Sequence, residues 1–367
     1  MKQVLKYAGY VLLLLLAGFL IWRFWYLIAW VLVAAVLSFI GQPIVQFFDR
    51  LHIRKWKFPH ALSTLLALVI LVLVGLSFIS IFVPLIIRQA ETISQIDVDQ
   101  LAQTIQAPMQ WINEKLRLFG IVPEGQTLQD VVLLKVKSMV SVGSVTGIVG
   151  KFFSTAGTVF LGLFSILFIT FFFLKDEALF ANTLFLIIPV KYHQGAREVI
   201  SDSKGLLKRY FVGVVLEVVG VMSLIAIGLW IFGIENALLI GFFGGIMNII
   251  PYLGPIIGSV IGIVLGITTT LSTGNINELL PVFLKLTGVF LAVNFIDNNI
   301  LVPVIYSKSV KSHPLEIFFV IIIGGSIAGL PGMLLAIPVY TVLRVIAREF
   351  FHQFRIVQKL TETMNDQ

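Results

Sequence analysis

The stretch AVNFIDNNILVP, residues 292–303, sets several polar side chains inside an otherwise apolar run. Asn294 and Asp297 are three positions apart, which places them on one face of a helix. Asn298 and Asn299 add amide donors and acceptors. Pro303 has no N–H, so a carbonyl one turn back loses its donor. A carboxylate among amides can carry a proton, hold a small cation or bind a polar solute. It can equally tie its helix to a neighbour near the membrane face, since Tyr306 and Lys308, interfacial types, follow soon after. Both readings stand. Glu217, in KRYFVGVVLE, admits a site role or an inter-helix hydrogen bond, and Asn248, just before Pro251, a helix cap or a contact with solute.

Other chemistries find no support. There are no cysteines, which removes disulfides and thiolate–metal sites. The five histidines, His52, His60, His193, His313 and His352, are scattered, with none at metal-ligand spacing from another. No serine nucleophile motif and no phosphate-binding G-x-x-x-x-G-K-[ST] loop is present. The reading is a non-enzyme with no cofactor and no resident metal.

Composition says where these polar groups must sit. The 367 residues are 58% hydrophobic and 12% charged, with a mean hydropathy of +1.00. Soluble domains carry about 25% charged residues, so the direct conclusion is an integral membrane protein. The net charge of +7 lies in loops between apolar runs, where it orients helices rather than binding nucleic acid.

A spanning helix needs about 20 apolar residues. Met1–Trp22 has the charge and apolar run of a signal peptide but no cleavage site, and reads as an uncleaved first span. Ala8–Ile40 is too long for one helix, so a tight hairpin is expected, with Arg23 at the interface. Pro43 should end or kink the second helix. The basic loop 41–60 places that side in the cytoplasm. A third span covers Ala61–Ile87. Residues 88–150 are charge-balanced and amphipathic, and are expected outside. Phe152–Leu174 is the fourth span, with Gly157 and Gly162 permitting close packing, then a basic loop to Arg209 and the fifth span, Tyr210–Phe232.

Ala237–Leu271 carries no charged residue, yet NIIPYLGPIIG interrupts it. Pro251 and Pro255 leave pieces of roughly 14 and 16 residues, below the usual spanning minimum of about 17. PYLGP is therefore expected to turn inside the protein. After the sixth span, Pro281–Val304, the segment Leu315–Leu343 is broken in the same way at GGSIAGLPG, residues 324–332. Gly244-Gly245 precedes Pro251 by the offset at which Gly324-Gly325 precedes Pro331. In secondary transporters, broken helices set free helix ends and bare carbonyls around a mid-membrane site. Lys285 should snorkel, and Glu316 should be structural.

At IIPYLGPIIG (249–258), IDNNILVP (296–303) and the stretch from His313-Pro314 through Gly324-Gly325, Gly329 and Gly332 to Pro338, the chain resembles the autoinducer-2 exporter family of bacterial membrane proteins. Pro43, FFFLKDEALF and KRYFVGVVLE extend the resemblance to nearly the whole length. Ser312 departs from it, where members often carry an apolar residue. The resemblance implies a plasma-membrane protein, export of a small polar signal, and a homo-oligomer with five copies as the candidate number. Some relatives are described instead as sodium or lithium/proton antiporters.

The expected fold is an all-α polytopic membrane protein with about six full spans and two re-entrant or broken hairpins, at 237–271 and 315–343. Residues 1–87 form the first three helices, 88–150 an extracytoplasmic segment and 151–367 the transport core, with both termini cytoplasmic. The expected function is ATP-independent export of a small polar metabolite or signal such as autoinducer-2. Its path would be lined by Asn248, Pro251, Tyr252, Gly254, Pro255, Asn294, Asp297, Asn298, Gly325 and Pro331. A cation/proton antiporter with Asp297 or Glu217 as carrier is the first alternative. A non-transporting scaffold for envelope assembly is the second.

Overall fold

The computed structural model describes residues 18–19, 23–53, 56–57, 59–94, 156–176, 178–272, 276–306 and 313–351. Nearly all of the first span and of segment 88–150, and the basic tail beyond Phe351, lie outside the described residues.

The described chain is helical apart from one small hairpin. Helix α1 covers Trp25–Arg50 and α2 covers His60–Ser94, joined by two-residue antiparallel strands, β1 (His52–Ile53) and β2 (Trp56–Lys57). Then follow α3 (Ala156–Lys175), α4 (Leu179–Ile187), α5 (His193–Ile231), α6 (Ala237–Met247), α7 (Leu253–Ser272) and α8 (Leu279–Ile296). A π-helical turn, Asp297–Leu301, leads into α9 (Val302–Tyr306), and α10 covers Pro314–Phe350. Among the described residues, 6 helices are long and apolar enough to cross a membrane, by length and composition. Their outward faces are apolar, as at Leu73, Val74, Ile79 and Trp230, all more than half exposed. A soluble protein could not carry that surface; hydrocarbon tolerates it.

Several boundaries differ from those read in the sequence. Pro43 lies within α1, which runs on to Arg50, and Pro84 lies within α2. Neighbouring packing tolerates an interior proline better in an apolar setting than in an isolated helix. The basic loop expected before Tyr210 is largely helical: α5 starts at His193 and runs 39 residues. At 1.5 Å per residue that is about 58 Å, far beyond the hydrocarbon thickness. Its first half carries Arg197, Glu198, Asp202, Lys204, Lys208 and Arg209, whereas Tyr210–Ile231 has Glu217 as its sole charge.

The described residues divide into two compact units. The first takes those of Met1–Gly75, Ser154–Val212 and Val342–Thr361. Here α1 packs on α3: the Trp30 ring covers Gly162, whose added Cβ would meet it at 3.5 Å, and Val45, Ala67 and Leu174 form a small core. The Thr170 hydroxyl donates to Ile166 O at 2.7 Å and lies 3.4 Å from Ala34 O.

The second unit takes the described residues of Leu76–Phe153 and Gly213–Thr341. Its core joins the second half of α5, α6 and α8 through Ile225, Leu229, Ile240, Leu286, Val289 and Phe290, all buried. Lipid tails are as apolar as these side chains, so close fit rather than release from water holds the helices together. Glycine supplies that fit. Gly254, Gly258, Gly262 and Gly266 recur every four residues along one buried face of α7. An added Cβ would lie 3.1 Å from Gly244 Cα at Gly258, 2.4 Å from Phe290 Cζ at Gly262 and 2.5 Å from Leu286 Cδ1 at Gly266. On α6, Gly241 and Gly245 lie against Met222 in the same manner.

Both expected breaks exist, with shifted edges. The first turn is Asn248–Tyr252, between helices of 11 and 20 residues. Pro255 belongs to the first turn of α7, where a missing N–H costs nothing. The second half is therefore long enough to cross a membrane, unlike the short piece expected. In α10 the backbone leaves helical geometry at Ala328 and Gly329, the latter with φ 60°. Gly324 and Gly332 then approach so closely that a Cβ on Gly332 would lie 2.0 Å from Gly324 O.

Candidate functional site

Three helices of the second unit converge on one amide. Asn248 follows the last turn of α6, and its N–H reaches the carbonyls of Gly244 and Gly245. Its side-chain Nδ2 donates to Asp297 Oδ2 at 3.0 Å and to Glu217 Oε1 at 3.1 Å. One NH₂ group has two hydrogens, so both are spent on two carboxylates. Asn248 is 5% exposed and Asp297 3% exposed. The second carboxylate oxygen of Asp297, Oδ1, is buried without a hydrogen-bond partner.

The π turn explains how Asp297 comes to this position. Val302 N–H bonds back to Asp297 O, five residues earlier, rather than four. Pro303 follows at once and cannot donate to the helix. Widening the turn by one residue accommodates that gap and shifts the phase of the side chains before it, a feature frequent at functional sites.

The break beside Asn248 is tight and strained. Ile249 N and Ile250 N bond to Ile246 O and Met247 O, and Gly254 N bonds to Ile250 O at 2.7 Å. Leu253 N bonds to Pro251 O at 2.8 Å, closing a three-residue turn about Tyr252, whose φ is 66°. This is the rare positive-φ form of the γ-turn, costly for a residue with a Cβ. The carbonyls expected to stand bare are thus largely engaged within the turn, and the polar character comes from side chains. Tyr252 itself is half exposed, its φ held by a backbone bond rather than by burial.

The remaining candidates fall in different places. Asn298 and Asn299 are exposed, and each donates to the carbonyl four residues back, Asn294 O and Phe295 O, both at 2.8 Å. They satisfy their own helix and do not join Asn248. Gly254 is buried against Met247 O, a position open only to glycine. Gly325 lies against Met333, and Pro331 is exposed beside the second break. Lys285 Nζ donates to Phe232 O at 3.3 Å, capping the C-terminal end of α5. Tyr340 Oη donates to Glu316 Oε2 at 2.7 Å, bracing the two halves of α10.

A second polar cluster escaped the sequence reading. Gln89 and Thr269 are buried, and Gln89 Nε2 donates to Thr269 Oγ1 at 3.2 Å. Asn236 Nδ2 donates to Gln89 Oε1 at 2.9 Å. Asn236 opens α6 and Asn248 closes it, so a neutral cluster and an acidic one mark its two ends. A lone Gln near the end of a long span was the available signal. Among the described residues, no group of three or more His, Cys, Asp or Glu could hold a metal ion.

Among the described residues, six apolar helices with a buried acid–amide cluster beside a broken helix are the build of a multi-pass membrane transporter. Residues 10–351 match the model of the AI-2E family transporters, and the chain belongs to that family. It is 27% identical over 317 residues to "Putative transport protein YueF" of Bacillus subtilis, covering 85% of this chain and 81% of that protein. It is 29% identical over 191 residues to "Putative transport protein YrrI" of the same organism, 52% of each chain. Over 176 residues it is 31% identical to "Putative permease PerM" of Escherichia coli, 48% of each.

Proposed function

We propose that the chain is an ATP-independent carrier of the bacterial plasma membrane that exports a small polar metabolite or signal, with autoinducer-2 the candidate its family name supplies. The observation that carries this reading is the buried Glu217–Asn248–Asp297 cluster at the break between α6 and α7. A buried carboxylate oxygen without a donor is costly and is a ready partner for a hydroxyl of a passing solute. Asn248, Pro251, Tyr252, Gly254, Pro255, Asn294, Asp297, Asn298, Gly325 and Pro331 remain the proposed lining. Residues 88–150 are taken as an extracytoplasmic segment, both termini as cytoplasmic, and the working form as a homo-oligomer. No catalytic step is assigned.

Flux of labelled small polar metabolites, autoinducer-2 among them, in proteoliposomes tests this. Asp297→Asn and Asn248→Ala should each cut flux at least tenfold in inserted protein. Unchanged flux in both variants would overturn the reading. One observation favours a second reading, cation/proton antiport: two carboxylates share one amide, and a proton or cation between them would relieve their repulsion. Sodium-driven change of internal pH, lost in Asp297→Asn and Glu217→Gln, would establish it.

A further inference from the structure

The first unit holds a cavity of about 590 Å³ that the transport reading leaves unused. Its walls are α1, α3, α4, the first half of α5 and the last turns of α10, and they are overwhelmingly apolar: Val31, Phe39, Leu184, Ile200 and Ile346 are among them. An apolar chamber of this size, open on one side, is filled rather than left vacant. Water is a poor filler, because each molecule needs two to four polar partners and the walls offer few. Hydrocarbon fits the walls.

The polar groups of the lining give the occupant a second end. Lys204 lines the cavity, and Lys208 stands one turn further along the same face of α5, where its Nζ donates to Gln46 Oε1 at 3.1 Å. Ser203 is 7% exposed, lines the cavity, and keeps a buried Oγ without a hydrogen-bond partner. Two carboxylates lie nearby, and Asp176 also lines the cavity. Asp176 Oδ1 accepts from Ala178 N at 3.1 Å, and Asp202 pairs with Arg348. Two ammonium groups and a hydroxyl donor at the charged half of α5, beside an apolar chamber, are complementary to a phosphate carrying an acyl chain.

We infer that this cavity binds one membrane phospholipid with an anionic headgroup, an acyl chain in the chamber and the phosphate at Ser203 and Lys204. The full-length protein, reconstituted in equal parts phosphatidylglycerol and phosphatidylcholine and then extracted in mild detergent, tests this by native mass spectrometry and by melting temperature. The wild type should retain one phospholipid per chain, phosphatidylglycerol at least threefold over phosphatidylcholine, and phosphatidylglycerol should raise its melting temperature. Ala35→Phe, which puts a ring into the chamber, should lose both the bound lipid and the thermal response. Ala196→Leu, a smaller filling, should weaken both and serves if the larger side chain prevents folding. Lys204→Gln should keep a lipid but lose the headgroup preference. Equal lipid retention in the wild type and a folded filling variant overturns the proposal, and so does bound detergent with no phospholipid. None of these variants touches the acidic cluster, so loss of lipid with flux intact separates this site from the transport reading.

Discussion

Asn248 and Asp297, 49 positions apart in sequence, meet through a 3.0 Å hydrogen bond that both side chains bury. The bond joins the end of α6 to the π turn that follows α8. Removing the donor would leave a buried carboxylate unpaired on its better-satisfied oxygen as well as on Oδ1. Asn248→Ala should therefore cost about 2–3 kcal/mol, within the range for orphaned buried polar groups and above a neutral hydrogen bond. The combined variant Asn248→Leu, Asp297→Leu and Glu217→Leu removes the donor and both of its acceptors together. It should recover most of that loss in unfolding assays while transport stays abolished. A cycle of single and double variants showing no coupling would mean that the contact is not energetically real.

The glycine face of α7 makes a graded prediction. At Gly262 the obstacle to a Cβ is the far edge of the Phe290 ring, at 2.4 Å, and a ring edge can move. At Gly254 the obstacle is a backbone oxygen, Met247 O, at 2.0 Å, within a turn fixed by its own hydrogen bonds. Gly262→Ala should cost about 1–2 kcal/mol and be partly rescued by Phe290→Leu. Gly254→Ala should cost more, about 3 kcal/mol or beyond, with no rescue by trimming any side chain. Melting temperatures of the three variants and the double variant in one detergent would show the order.

Much of this architecture was legible from residues alone, and what was hidden has a physical cause. Apolar runs and prolines announced the spans and both breaks, because lipid leaves the backbone few options. Helix edges were missed where charge was mistaken for loop, as in the first half of α5: a solvated helix and a basic loop have the same composition. Glu217, Asn248 and Asp297 were each singled out, yet nothing in their local spacing could say that one amide serves both acids. That requires knowing which faces of α5, α6 and α8 pack together. The four-residue glycine repeat of α7 specifies part of that packing and was present in the sequence unread. Asn298 turns its side-chain amide back onto its own helix, a local bond that the spacing of polar residues does not reveal.

Tyr252 separates strain from contact. A residue with a Cβ at φ 66° gives up about 1–2 kcal/mol to left-handed geometry. Glycine removes that cost but adds about 0.4–1 kcal/mol of unfolded-chain entropy. Tyr252→Gly should leave the melting temperature unchanged or slightly raised. If the half-exposed ring serves the proposed path, flux falls in the same protein. A stability gain with full flux would remove Tyr252 from the lining and leave the turn as architecture.

The brace between Tyr340 and Glu316 bears on how freely α10 opens at its break. The phenol donates at 2.7 Å to Glu316 Oε2, linking the two sides of a helix that loses regular geometry at Ala328 and Gly329. A hydrogen bond to a carboxylate contributes about 1.5–3 kcal/mol, roughly twice a neutral one. Tyr340→Phe deletes the donor and should lower stability by about that amount. Glu316→Gln keeps an acceptor of the same shape and should lose less than half as much. Gly329 lets the chain turn at φ 60° without a side chain to crowd it, so the break has little stiffness of its own. Two spin labels, one on each side of the break, should therefore report a broader distance distribution in Tyr340→Phe than in the wild type, with Glu316→Gln between them. Identical distributions in all three would show that packing of Gly324 against Gly332, rather than the brace, sets the geometry of the break.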